Sequence, residues 1–326
     1  MSNKFETVTG EALMDMDLSP GRMIVHQLIP KGLHILAGAP KVGKSWRTLW
    51  LCLQAAKGEP VWKLPTEKGT VLYLCLEDNL GRIQDRMLDL TDAAPSGIHF
   101  ATMAETISGG LINQINAFLL EHPNTILIAI DTLQCIRNIS GDFNAYANDY
   151  KDINLLKQIT DKHNIAILLI HHLSKQGDSD PLNMISDTTG LTGAVDGTYV
   201  LHKESRRSRT AKLIATGRDI EDMEYILEFD KETRIWKFIS DDSDNPFYLS
   251  SDKILSEIVE FIKNEGNFIG TASELIEKMT SSARHHVLAK KLSQNKMMLK
   301  DMGIIVNNLR TGSRREITLK YETTFL

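Results

Sequence analysis

Residues 38 to 45 read Gly-Ala-Pro-Lys-Val-Gly-Lys-Ser: two glycines bracket four residues and lead into a lysine and a hydroxyl. Glycines so spaced let backbone N–H groups turn toward phosphate oxygens, and a helix starting there adds a positive potential. In that setting Lys44 reaches the β- and γ-phosphates of a nucleoside triphosphate, and the Ser45 hydroxyl ligates Mg2+. Gly38, Ala39, Pro40, Lys41, Val42, Gly43, Lys44, Ser45 and Trp46 are therefore the expected nucleotide-binding stretch, with ATP and Mg2+ as its cofactors.

Three further groups have the chemistry to act on a bound triphosphate. Asp131 ends the apolar run Ile-Leu-Ile-Ala-Ile, a placement suited to holding the Mg2+ shell. Glu77 and Asp78 close the run Gly69 to Asp78, where a carboxylate can orient and deprotonate the attacking water; Glu77 is preferred over Asp78. His171 and His172 follow Ala-Ile-Leu-Leu-Ile, where a polar side chain can touch the γ-phosphate and report its loss to the adjoining loop. Strand alternation sends the two to opposite faces, so one of them is merely packed or solvated.

The elements that must position these groups are legible as well. Residues 31–38 read as a buried strand entering the glycine loop, and Lys44 to Ala56 carries helical apolar spacing. Near-continuous apolar runs at 69–78, 124–131 and 164–172 alternate with helical segments (Leu111 to Leu120, Tyr146 to His163). That pattern implies an α/β fold whose parallel sheet is buried on both faces, with ligands at the strands' carboxyl ends. Strand-like pieces at 197–203, 210–216, 224–230 and 234–238 suggest an antiparallel extension of that sheet. Between them and His172, Ser174 to Gly193 has no period and reads as a long functional loop.

From Asp252 onward the texture changes to three helical segments and a hairpin around Thr311-Gly312-Ser313, the pattern of a small winged helix-turn-helix. Thr271 and Glu274 form a capping box at its second helix. The expected organisation is a leader (1–20), an ATPase domain (21–240), a linker (241–251) and the winged helix (252–326). From Arg284 to the end, nine basic residues face Asp301, Glu316 and Glu322, an asymmetry that points to phosphate binding. Lys290, Lys291 and Lys296 on the third helix, and Arg310, Arg314 and Arg315 at the wing, are the expected DNA contacts. A protein-docking winged helix is the alternative.

Composition sets the outer bounds. The 326 residues are 42% hydrophobic and 24% charged, with a formal net charge of −5, which argues against a protein coated in nucleic acid but leaves room for a locally basic surface. No apolar run approaches the roughly 20 residues that span a bilayer, and the acidic, polar N-terminus does not read as a signal peptide, so a cytoplasmic location is expected. Cys52, Cys75 and Cys135 lack metal-ligand spacing and are expected to be buried free thiols.

Taken with the segments 28–46, 71–79, 126–134, 168–175 and 216–230, the sequence resembles the RecA-type ATPases of plasmid and phage replication. These are relatives of hexameric replicative helicases, similar to the small hexameric helicases of broad-host-range plasmids. The likeness covers about Leu18 to Phe238. It implies a RecA-like P-loop core acting as an ATP hydrolase in DNA replication, assembled as a homo-oligomeric ring, a hexamer, with single-stranded DNA in a central channel. The resemblance assigns Gly38 to Ser45 to the Walker A loop, Asp131 to Walker B, Glu77 to the catalytic glutamate and His172 to the γ-phosphate sensor. Arg218 falls where the family carries an arginine finger that completes the neighbouring subunit's site; Arg206 and Arg207 are runners-up. Thr216 stands where replicative helicases usually carry a lysine. The loop after the sensor sits where the family places a DNA-contacting loop, yet Lys175 is its only basic residue against Asp178, Asp180 and Asp187. Two alternatives stand beside a helicase: a non-translocating DNA-binding ATPase, and a winged-helix transcription factor whose P-loop domain senses nucleotide.

Overall fold

A computed structural model describes residues 7–16, 21–137, 145–173, 181–185, 190–205, 207–241, 253–311 and 314–322. Lys175, Arg206, Gly312, Ser313, residues 242–251 of the linker and much of the loop 174–193 lie outside these residues.

The chain divides into two compact units, Arg22–Ser256 and Glu257–Leu326 taken with Met1–Gly21. Within the leader, α1 (Gly10–Asp15) is a short helix opened by the Thr9 side chain, which accepts from the Ala12 N–H.

The larger unit begins with a short antiparallel pair, β1 (Met23–Val25) and β2 (Ile29–Pro30), which sequence periodicity missed because each is too brief to show a pattern. The chain then alternates: β3 (Gly32–Gly38), α2 (Lys44–Lys57), β4 (Thr70–Cys75), α3 (Leu80–Leu90), β5 (Ile98–Ala101), α4 (Ile112–Glu121), β6 (Thr125–Asp131), α5 (Leu133–Ile136), α6 (Ala145–His163), β7 (Ala166–His172) and α7 (Gly190–Ala194). Four strands follow, β8 (Gly197–His202), β9 (Thr210–Gly217), β10 (Met223–Phe229) and β11 (Trp236–Asp241). All but the first pair form one nine-stranded sheet in the order β11-β10-β9-β8-β3-β7-β6-β4-β5. From β8 to β5 every neighbouring pair is parallel, and β9, β10 and β11 extend the sheet antiparallel. This is the mostly parallel sheet with an antiparallel extension that the strand pattern implied.

Both faces of the parallel region are buried, and the period-2 geometry of a strand divides its side chains between them. Leu36, Val71, Tyr73, Leu168 and Ile170 enter one core with α2. Leu33, Ile35, Leu72, Ile128 and Leu169 enter the other with α4 and α6. Burying each such side chain contributes roughly 1.5–3 kcal/mol, so the strand ends are held by cores above and below. The carboxyl ends of β3, β4, β6 and β7 thus share one rim.

The smaller unit begins within α8 (Lys253–Glu265), at Glu257; there β12 (Asn267–Gly270), α9 (Ala272–Met279), α10 (His285–Gln294) and α11 (Lys296–Asp301) precede β13 (Ile304–Thr311) and β14 (Arg314–Tyr321). Its sheet has the order β12-β14-β13 and is antiparallel. Ile258, Ile262, Leu275, Leu288, Leu299 and Leu319 are buried here. The capping box at Thr271 is present, its hydroxyl accepting from Glu274 N–H while the Glu274 carboxylate accepts from Thr271 N–H.

Two expectations are corrected. The third helical segment is not continuous: Asn295 leaves helical dihedrals (φ −106°, ψ 17°), and its backbone and side-chain amides both donate to the Lys291 carbonyl, closing α10 before α11 begins. Cys52 and Cys75 are buried, but Cys135 is exposed. Leu133 and Ile136 take the inward positions of the one-turn α5, which turns Cys135 outward.

Candidate active site

The loop between β3 and α2 carries the backbone that the glycine spacing demands. Lys41 (φ 62°) and Gly43 (φ 103°) both take the left-handed region. At Gly43 a side chain is excluded twice, by that dihedral and because a Cβ would lie 2.9 Å from Trp236 Nε1. Lys44 Nζ donates to Gly38 O (2.6 Å), Ala39 O (3.0 Å) and His172 Nδ1 (3.3 Å), which occupies all three ammonium protons. Burial pushes the Lys44 pKa down to about 8, although Asp131 and Glu77 pull it upward.

The parallel register sets the acids. Cys75 pairs with Asp131, and Leu76 N–H donates to Asp131 O (2.8 Å), so the turn carrying Glu77 runs beside the end of β6. Asp131 is buried; its carboxylate accepts from Tyr73 Oη (3.0 Å) and from the Ser45 hydroxyl. Burial raises its pKa, against those two hydrogen bonds. A desolvated carboxylate beside a serine hydroxyl is an oxygen pair suited to Mg2+, a hard cation that takes few protein ligands and completes its shell with phosphates and water. Tyr73 was not anticipated, since its reach to Asp131 depends on β4 lying next to β6.

Glu77 is half-exposed, and its Oε1 accepts from Thr132 Oγ1 (2.9 Å) and lies 4.0 Å from His172 Nε2. Asp78, by contrast, is locked between Arg82 and Arg86, each at 2.6 Å. Asp78 thus already has two cations. Arg86 also lies over the Trp46 ring (5.6 Å), as does Arg234 (5.9 Å), which packs this residue beneath two guanidinium groups. Of the histidine pair, His172 is the one joined to Lys44. Burial and then the Lys44 charge lower its pKa, which keeps the ring neutral at pH 7.

Arg218 is not brought to this rim. Gly217 pairs with Gly197, and Gly197 with His34 near the start of β3, so Arg218 stands at the opposite sheet edge. Counting along β3 from Leu33 to Gly38, that is about 17 Å from the phosphate loop at ~3.3 Å per residue. There its N–H donates to Asp196 O (2.9 Å), its guanidinium lies 3.5 Å from Asp196 Oδ1, and its side chain is 61% exposed. Arg207 is exposed in the β8–β9 turn. Lys290 and Lys296 are exposed on α10 and α11, and Lys291 is partly buried. Arg310 on β13 pairs with Arg315 on β14, and Arg314 with Thr311.

Lys44, Ser45, Glu77, Asp131 and His172, drawn from four separated segments, thus meet at one edge of a parallel sheet, and the fold and site define a P-loop nucleotide-binding domain of RecA-like architecture. The chain belongs to the AAA domain family, whose profile matches residues 3–178. Solved structures agree on the fold. An isolated ATPase domain matches with a TM-score of 0.53 at 15% identity, covering 64% of this chain and 85% of its own. A DnaB-like replicative helicase, solved with regard to its interactions with primase, matches with a TM-score of 0.54 at 14% identity, covering 71% of this chain and 66% of its own. None of the curated proteins compared with the chain matches it. Among the described residues, no helix is long and apolar enough to cross a membrane.

Proposed function

We propose that this protein is an ATP-dependent DNA helicase or translocase of phage or mobile-element replication, working as a ring, a hexamer, that hydrolyses ATP between subunits. The carrying observation is the convergence of Lys44, Ser45, Asp131, Glu77 and His172 on one rim. In this reading Lys44 leaves its two carbonyls and His172 for the β- and γ-phosphates, and Ser45 and Asp131 hold the metal, which when bound neutralises charge on the phosphates. Glu77 takes a proton from the attacking water, and His172 senses the γ-phosphate. Arg218, too far from its own triphosphate, acts on the neighbour's.

The smaller unit is proposed to be a winged helix that grips duplex DNA. The order α8-β12-α9-α10-α11 followed by the β13–β14 hairpin, with exposed Lys290 and Lys296, supports that reading. A cytoplasmic location fits a protein of this kind.

Strand displacement tests the proposal: unwinding that needs ATP and disappears in Lys44→Ala supports a motor. The acidic content of the loop after His172 favours one competing reading, a DNA-binding ATPase that switches assembly without translocating. DNA-stimulated hydrolysis without unwinding would select it.

A further inference from the structure

Thr132 stands at the N-cap of α5, where a threonine hydroxyl ordinarily accepts from the first turn of its helix. Here it makes no capping hydrogen bond. It donates instead to Glu77 Oε1 at 2.9 Å, while Cys135 Sγ lies 3.8 Å away. The two partners differ sharply in freedom: Thr132 is 1% exposed, and the Glu77 side chain is 52% exposed. Thr132 is fixed by the main chain directly after Asp131 and by the stiffness of a β-branched side chain. Glu77 follows a strand end and, without a partner, would spread over many rotamers in solvent.

We infer that Thr132 is a positioning residue for Glu77, holding Oε1 so that Oε2 alone faces the attacking water. This rests on the proposed role of Glu77 as the base. In the step it serves, a water O–H bond breaks and its proton goes to Glu77 Oε2. The water oxygen bonds to the γ-phosphorus, and the bond from that phosphorus to the β–γ bridging oxygen breaks, releasing ADP and phosphate. Because Thr132 is contiguous with the residue that would hold the metal, one short stretch of backbone ties metal to base. A general base works only within hydrogen-bond reach of the proton it takes, so loss of aim lowers the rate without weakening nucleotide binding.

The 326-residue chain is the material for the test. Thr132→Val should lower kcat for ATP hydrolysis roughly ten- to hundredfold while affinity for a non-hydrolysable ATP analogue changes by less than about twofold. Thr132→Ser, which keeps the hydroxyl, should recover most of the rate. In a Glu77→Ala background, adding Thr132→Val should cost nothing more, since the hydroxyl has nothing left to aim. A Thr132→Val enzyme at the wild-type rate beside an inactive Glu77→Gln would overturn the inference, as would additive losses in the double variant. Thr132→Ala carries the same comparison should the valine protein not fold. Wild-type hydrolysis by Glu77→Gln would remove the base itself, a distinct outcome from failure of the positioning role.

Discussion

Lys44 Nζ donates to His172 Nδ1 across 3.3 Å, joining the phosphate loop to the end of β7. An ammonium can only donate, so Nδ1 must be the bare nitrogen of a neutral ring, and the proton sits on Nε2, facing Glu77. Nitrogen NMR of the imidazole at pH 7 should therefore show the Nε2–H tautomer in the nucleotide-free protein, with Nδ1 shifting once a Mg2+–ATP analogue draws the lysine away. A protonated ring, or an Nδ1–H tautomer, would contradict the hydrogen bond.

Lys44 is a cation held in a place that disfavours its charge. Lys44→Ala should weaken nucleotide binding by about two orders of magnitude, as loss of a charge-assisted contact to phosphate does. The same change should leave the melting temperature of the free protein unchanged or raised, because it removes a desolvated charge. A large fall in melting temperature would show that the three hydrogen bonds of Lys44 are a structural strut instead.

For Arg218→Ala the expectation is near-normal nucleotide binding with hydrolysis depressed by several orders of magnitude. Mixing it with Glu77→Ala subunits should restore part of the activity, since some interfaces then hold both groups. Verified mixed rings that stay inactive would end the assignment in trans.

Asp196 yields a prediction about pH. Its carboxylate accepts from Lys157 and from Leu33 N–H (3.0 Å), and these outweigh burial to hold its pKa below 3.8. A group whose folded pKa is depressed stabilises the fold above its unfolded value, and the contribution is lost as pH falls through the folded one. Asp196→Asn should therefore cost about 1.5–3 kcal/mol at pH 7, the range for hydrogen bonds to a charged group. Denaturant titrations should show that gap closing as the pH drops below 4, and a constant gap would mean the carboxylate's charge is not what matters.

The phosphate loop was legible because its chemistry depends on spacing along eight covalently linked residues, Gly38 to Ser45. The convergence of Asp131, Glu77 and His172 was legible for a related reason: each ends an apolar run, and the ends of parallel strands share a rim. The partners of these groups were not legible. Tyr73 and Thr132 reach their targets only because β4 lies beside β6, and strand order is a property of the whole sheet. Asp78 shows a clue left unused, since an aspartate four residues before Arg82 at a helix start is a local ion-pair signal. Asn295 shows the limit of periodicity: apolar spacing continues across it, and only a side-chain amide turned onto the Lys291 carbonyl breaks the helix.

The unequal restraint of the rim acids has a consequence for evolution as well as for chemistry. Asp131 accepts from two hydroxyls and each oxygen of Asp78 is held by an arginine, whereas among the described residues the polar partners of Glu77 lie at Oε1. Under the proposed mechanism, proton traffic at this edge runs in a single lane. A substitution at Glu77 would find its neighbour in sequence, Asp78, already held by two arginines.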